Sequence, residues 1–267
     1  MLNQLTTDVR EMLAEQVTYR ELLVQMTKRD LLLRYKQTVM GFGWAIFMPV
    51  LNTVIFSIIF TRVAKVETPV PYPIFSYCGL VTWNFFAGSL RFAVNSLTSN
   101  TSLVSKVFFP REILPFSALL VGLVDFAIGS VILIPMMIYY GIVPTSALLF
   151  LPVVLVVHIA FTAGVALLLA MANLFYRDVK YLFEVVLTIW MFASAVLYPL
   201  DQVGGTLAKV LQLNPMTPII EAYRSVVLMG TVPALGPFAA AAAIAFVTLA
   251  VGWYLFHRAE FQFAENV

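Results

Sequence analysis

Apolar residues run in six long blocks, at about 42–60, 74–97, 113–139, 147–174, 181–198 and 238–256. An apolar run of about 20 residues covers the hydrocarbon core of a bilayer at 1.5 Å per residue. The pattern predicts an all-α membrane protein with six transmembrane helices. Residues 1–40 differ in character. Leu13, Val17, Leu22, Leu23, Met26, Leu31 and Leu33 recur at helical spacing, while Arg10, Arg20, Lys28, Arg29, Arg34 and Lys36 supply charge. This predicts an amphipathic helix lying on the inner membrane surface. Residues 199–235 carry several prolines and glycines between short apolar pieces at 207–213 and 219–229. Those pieces are too short to span and are expected to re-enter the membrane or lie at its surface. The chain divides into an interface helix region (1–40), a six-span domain (41–257) and a tail (258–267).

Between the second and third blocks lies a polar and aromatic island, Ser99 to Glu112. Lys106, Arg111 and Glu112 are expected to face water there, with Phe108 and Phe109 exposed among them. Exposed aromatics among charges mark a docking surface. The island is therefore expected to be a cytoplasmic handle gripped by a soluble partner, at Ser105, Lys106, Val107, Phe108, Phe109, Pro110, Arg111 and Glu112.

Charge sets the orientation. The amino end, the island, the 175–180 turn and the tail hold 11 of the 16 Lys and Arg residues, whereas the three opposite loops hold 4. The positive-inside rule places both termini in the cytoplasm. Only 11% of residues are charged and 61% are hydrophobic, against about a quarter charged in soluble domains. A net charge of +2 is too small for nucleic-acid binding.

The single Cys78 is expected to be a buried hydrophobe, and no cleavable leader is expected. Gly41 and Gly43 lack the third glycine and preceding strand of a dinucleotide fingerprint. No phosphate-binding loop, metal motif or nucleophile elbow occurs, so no cofactor and no metal is expected on this chain. Asp125 lies within the third block, where a carboxylate costs about 2.5–3.5 kcal/mol and must meet protein, water or a cation. His158 is expected to be a packed polar residue, and Arg91 to reach the interface or a substrate. The 22 Phe, 11 Tyr and 4 Trp could let a sugar polymer slide over ring faces, although most such rings belong to packing and the interfacial belt.

Taken together, several motifs resemble one family along nearly the whole chain. They are Lys28 to Tyr35 with Gly41, Trp44 and Pro49; Lys106 to Pro115; Phe175-Tyr176-Arg177-Asp178-Val179; Asn214-Pro215-Met216; Tyr223-Arg224; and the Phe263-Ala264-Glu265 tail. In this order they resemble the permease subunit of ABC-type polysaccharide exporters, which move O-antigen, teichoic acid and capsule polymers. The likeness is greater to the O-antigen and teichoic-acid branch. It implies a homodimer with two copies of a cytoplasmic ATPase that binds ATP and Mg, in the bacterial inner membrane. It implies that residues 100–109 form the coupling helix seated in the ATPase. The first and fifth spans would line a channel, making Phe56, Phe60, Trp190 and Tyr198 candidates. The 200–230 region would form an outer gate. A lipid-linked polysaccharide substrate would present its pyrophosphate to Arg34, Lys36 or Arg91. Three other readings are export of a small lipid or drug, a proton-coupled carrier using Asp125, and a non-transporting scaffold.

Overall fold

A computed structural model describes residues 15–36 and 38–263, so the expectations for Arg10, Leu13, Ala264 and Glu265 lie outside the described residues. Every regular element among the described residues is helical. The longer ones are α1 (Arg20–Tyr35), α2 (Trp44–Ile58), α3 (Tyr72–Ser96), α4 (Thr101–Lys106), α5 (Ile113–Ser130) and α6 (Leu133–Tyr140). They continue with α7 (Leu151–Phe175), α8 (Val179–Phe192), α9 (Gly205–Gln212), α10 (Met216–Arg224) and α11 (Leu235–Ala259).

Among the described residues, four helical stretches are long and apolar enough to cross a membrane: Gly41–Val63, Ile113–Tyr140, Ser146–Phe175 and Leu235–Gln262. They coincide with the first, third, fourth and sixth apolar blocks. The Ile113–Tyr140 stretch contains Pro135, which has no N–H and whose ring clashes with the carbonyl of residue 131. The turn there tightens, so that Val131 N–H bonds Ile128 O at 3.2 Å and Ile132 N–H bonds Gly129 O at 3.3 Å.

The second block forms the 25-residue α3, long enough at about 37 Å to cross but studded with Ser, Thr, Asn and Arg. Its polarity reflects its position at the centre of the bundle. Ile74, Phe75, Tyr77, Phe86, Leu90 and Ala93 are fully buried, and α2, α5, α7 and α10 all pack on it. The fifth block departs from expectation. The α8 helix ends at Phe192 after 14 residues, about 21 Å, which is short of the roughly 30 Å hydrocarbon core. Ala193 to Pro199 form a bent segment instead, with Ala195 at φ +51°.

The most extensive helix contact joins α7 and α11. It depends on Gly164 meeting Gly252: a Cβ on Gly164 would lie 2.6 Å from backbone atoms of Thr248 and Leu249. Small residues let transmembrane helices approach this closely, which multiplies their dispersion contacts.

The α1 helix packs along α5. Tyr19, Leu22, Leu23 and Met26 turn inward onto a cluster containing Val104, Phe109, Phe256 and Phe263. Val17, Leu32 and Leu33 stay exposed on other faces. The apolar periodicity in this stretch thus serves two surfaces, one of them proteinaceous.

Candidate functional site

Three features stand out, and the first is the handle. The α4 helix projects between α3 and α5, and its far end carries Ser105, Lys106, Val107 and Phe108 on the surface. Phe108 is 86% exposed, whereas Phe109 is only 3% exposed. The expectation that Phe109, Arg111 and Glu112 face water together with Lys106 and Phe108 is therefore corrected. Phe109 packs with Leu97, Val104 and Phe256, and Pro110 is buried. Arg111 pairs with Glu260 at 3.2 Å, and its backbone N–H donates to the same carboxylate at 2.9 Å. Glu112 is buried at 1% exposure. It accepts from the Trp253 indole at 3.3 Å and meets His257 Nδ1 at 3.2 Å. The physical reason is that α11 ends beside the handle, where its Trp253 and His257, with Glu260 just after it, partner the charges that the sequence alone leaves without partners. Beside α4, a polar hollow of about 480 Å³ is lined by Asn95, Thr98, Thr101, Asn173, Arg177 and Lys180.

The second feature is a cavity of about 480 Å³ where α1, α2, α3 and α5 meet. Arg34, Arg91, Asn52, Asn84, Trp44 and Asp125 are among its lining residues. Arg34 and Arg91 converge here as candidate cations, whereas Lys36 is exposed beyond the end of α1. Asp125 has protein partners: Arg34 pairs with it and the Tyr35 hydroxyl donates to it. Burial pushes the Tyr35 phenol well above its ordinary value, and the Asp125 hydrogen bond adds to that, so the group stays a donor. The Arg34 guanidinium also lies over the Phe92 ring, 4.3 Å from its centroid. Arg91 Nε also meets Glu184, which lies outside the cavity lining, at 3.1 Å, with both side chains half-exposed.

The third feature is the bent segment after α8. Irregular backbone is tolerated at membrane depth only where protein groups satisfy its N–H and C=O groups. Here side chains do so in series. Asn214 Nδ2 donates to Ala193 O at 2.9 Å. Arg224 donates to Ala195 O at 2.9 Å and to Val196 O at 2.6 Å. The Tyr72 hydroxyl donates to Leu197 O at 2.8 Å, and the Tyr198 hydroxyl to Phe192 O at 2.5 Å.

Arg224 is wholly buried, pairs with Glu221 at 2.7 Å and lies 3.6 Å from the Phe75 ring centroid. The space it needs exists because residue 79 is glycine: a Cβ there would stand 2.5 Å from Val196 O and 2.6 Å from Arg224 Nη2. Sequence reasoning found Asn214 and Tyr223-Arg224 only as points of resemblance. The usable signal was an arginine inside a short apolar piece, which at this depth demands buried acceptors.

The aromatic candidates fall around this segment. Trp190 donates its indole N–H to Asn214 Oδ1 at 2.9 Å and packs edge-on to Phe86 at 5.0 Å. Phe60 stacks on Tyr72 at 5.7 Å, and Phe56 meets Phe60 at 6.2 Å. Tyr198 sits on the bent segment rather than on a helix. His158 is fully buried among Phe85, Phe126 and Tyr223, and Cys78 is buried.

Comparison with known proteins agrees with this architecture. Residues 21–228 match the family described as ABC-2 type transporter. An O-antigen export system permease protein RfbA from Myxococcus xanthus is 30% identical over 251 residues, covering 93% of this chain and 96% of that protein. Two proteins of the same name from Klebsiella pneumoniae are 27% and 26% identical, over 92% of this chain and 94% of theirs. With its apolar spanning helices and a match across most of its length, the chain belongs to the ABC-2 type transporter family, as a multi-pass membrane permease rather than an enzyme.

Proposed function

We propose that this chain is the membrane permease of an ATP-driven exporter carrying a lipid-linked polysaccharide of the O-antigen kind across the bacterial cytoplasmic membrane. The observation that carries the reading is the likeness to three O-antigen export permeases over more than nine-tenths of both lengths. In this reading the chain crosses six times, with α3 supplying the second crossing and α8 with the bent segment the fifth. The α9 and α10 helices re-enter from outside, and both termini are cytoplasmic. The permease acts as a homodimer with two ATPase subunits, which hold ATP and Mg.

Ser105, Lys106, Val107 and Phe108 contact the ATPase. The buried residues 109–112 transmit its movement to α11. The apolar, exposed faces of α2 and α8 meet the second copy, so that Phe56, Phe60, Trp190 and Tyr198 border the path of the polymer. Arg34 and Arg91 receive the pyrophosphate of the lipid carrier. Their support is two guanidinium groups bordering one cavity near the inner surface, where phosphate headgroups lie. Lys36 stands outside that cavity and serves general attraction to anionic lipid.

Deleting the chain in its host should trap lipid-linked polymer on the cytoplasmic side. Phe108→Glu should leave the chain folded and in the membrane while abolishing its stimulation of the co-purified ATPase. If Phe108→Glu couples as well as wild type, the handle is not the contact. If deletion leaves polymer export intact, the exporter reading is wrong.

A further inference from the structure

Each arginine of the cavity between α1, α2, α3 and α5 already has a carboxylate partner, Asp125 within its lining for Arg34 and Glu184 outside it for Arg91. That is unexpected for a simple anion receptor, because a phosphate group must first displace a resident anion. We propose that Asp125 is an exchangeable counter-ion, holding Arg34 until the phosphate group of an anionic lipid takes its place and thereby freeing the carboxyl-terminal end of α1 from the third span. The inference rests on the reading of this cavity as a headgroup site and adds a regulatory role for a residue that contributes no binding of its own.

The geometry gives four supports. Asp125 is gripped by two consecutive residues of α1, Arg34 through one carboxylate oxygen and Tyr35 through the other. One side chain thus fastens the end of a helix. Arg34 Nη1 is buried and makes the ion pair with Asp125 Oδ2, and no other nitrogen of this guanidinium pairs with a carboxylate among the described residues. A guanidinium has five donors in a rigid fork suited to phosphate, so donor capacity remains.

Phe92 lies against the guanidinium face at 4.3 Å and can hold it in place while its anion changes. Finally, Asp30 on the same helix is fastened to Ser117 of α5 at 2.9 Å. Loss of the Asp125 contact would therefore release only the last turns of α1, which would pivot about Asp30. On the other side, Arg91–Glu184 is half-exposed. Exposed pairs of that kind are weak and yield readily. Asn52 and Asn84 line the cavity as neutral donors, and its volume lies within the range of about 300–1,000 Å³ usual for ligand sites.

The test uses the full permease with its co-purified ATPase in phosphatidylcholine nanodiscs. Bound lipid is counted by native mass spectrometry, and amide exchange is followed over residues 28–36. Undecaprenyl pyrophosphate and phosphatidylglycerol are titrated separately. Wild type should bind the pyrophosphate lipid, with increased exchange at 28–36 on saturation. Asp125→Asn should bind it at least about tenfold more tightly, because a like charge beside the incoming phosphate has been removed, and its exchange should be high before any lipid is added. Arg34→Gln should bind at least about tenfold more weakly.

If Asp125→Asn binds no more tightly than wild type while Arg34→Gln loses binding, the headgroup site stands and the counter-ion role is overturned. If Arg34→Gln and Arg91→Gln both bind as wild type does, the headgroup site itself is wrong. Equal affinity for phosphatidylglycerol would assign the exchange to bulk phospholipid. Should Asp125→Asn fail to fold, wild type decides alone: unchanged exchange at 28–36 on saturation overturns the proposal.

Discussion

Replacing Arg224 with methionine keeps most of the side-chain volume and removes every donor. Two backbone carbonyls, of Ala195 and Val196, then lose their partners. A buried polar group left unpaired costs about 1–3 kcal/mol. Relief of the desolvation of a buried guanidinium, and the exposure of Glu221 to water, offset part of this. Ala195 also sits at φ +51°, a conformation that a non-glycine residue adopts at a cost of about 1–3 kcal/mol unless its surroundings hold it there. We expect a net loss of about 3 kcal/mol, or a fall of roughly 6–12 °C in midpoint for a chain of this size. Amide exchange should rise at 193–198 and stay unchanged in α7 and α11. Arg224→Lys keeps the charge but cannot span two carbonyls with a fork, so it should recover about half of the loss. Thermal unfolding in detergent, paired with exchange measurements, reads both effects. A methionine variant melting within about 2 °C of wild type, with no local change at 193–198, would refute the view that Arg224 holds the bent segment.

Three further outcomes follow from adjacent observations. Phe109→Ala should cost about 3–5 kcal/mol as a buried aromatic truncation, while Phe108→Ala should fall within about 0.5 kcal/mol of wild type; denaturation of the two variants side by side checks the inside–outside assignment of neighbouring residues. Gly164→Ala should cost about 1–3 kcal/mol by forcing α7 and α11 apart, and Gly252→Ala should behave alike, as measured by thermal unfolding. Both His158 ring nitrogens are without a hydrogen-bond partner among the described residues, so His158→Leu should match or exceed wild-type stability; a clear loss of stability would mean that the imidazole has a polar role in the core.

The spanning blocks were legible because a bilayer imposes length and apolarity together, and four of the blocks reappear within a few residues. The polar α3 was legible too, since its 25 residues are bounded by Pro71 and by the Thr98–Asn100 turn. What failed was the end of α8. Nothing in Ala193 to Tyr198 is a helix breaker, and the apolar run continues to Leu200. The helix stops because Asn214, Arg224 and Tyr72, all distant in sequence, accept the burden of its free carbonyls. Tertiary satisfaction of backbone is invisible to periodicity. The handle shows the same limit at shorter range. Its position was legible from charge among apolar blocks, but Phe108 and Phe109 are indistinguishable until α11 is seen to end beside one of them. The position of Asp125 within an apolar block demands a partner, but the sequence does not single out Arg34 and Tyr35 among the other basic and polar residues.

The contacts around the handle and the cavity differ in a way that divides the bundle mechanically. Arg111–Glu260 is largely buried, at 14% and 11% side-chain exposure, and is reinforced by a backbone hydrogen bond. Breaking such a pair costs about 3–5 kcal/mol. Phe109 adds a buried aromatic contact with the end of α11, and α11 is joined to α7 through facing glycines. A displacement applied at Phe108 is therefore carried into α3, α7 and α11 as one unit. By contrast, the polar tie between α8 and α3 is a half-exposed Arg91–Glu184 pair, worth about 0–1 kcal/mol, and the carboxyl-terminal part of α1 is tied to α5 by polar contacts at Asp30 and Asp125, its amino-terminal part by apolar packing. The weak ties thus sit beside the cavity, and the strong ones sit beneath the handle. A push at Phe108 is thus delivered to the packed core, and the ion pairs open to exchange, Arg34–Asp125 and Arg91–Glu184, lie at the cavity beside it.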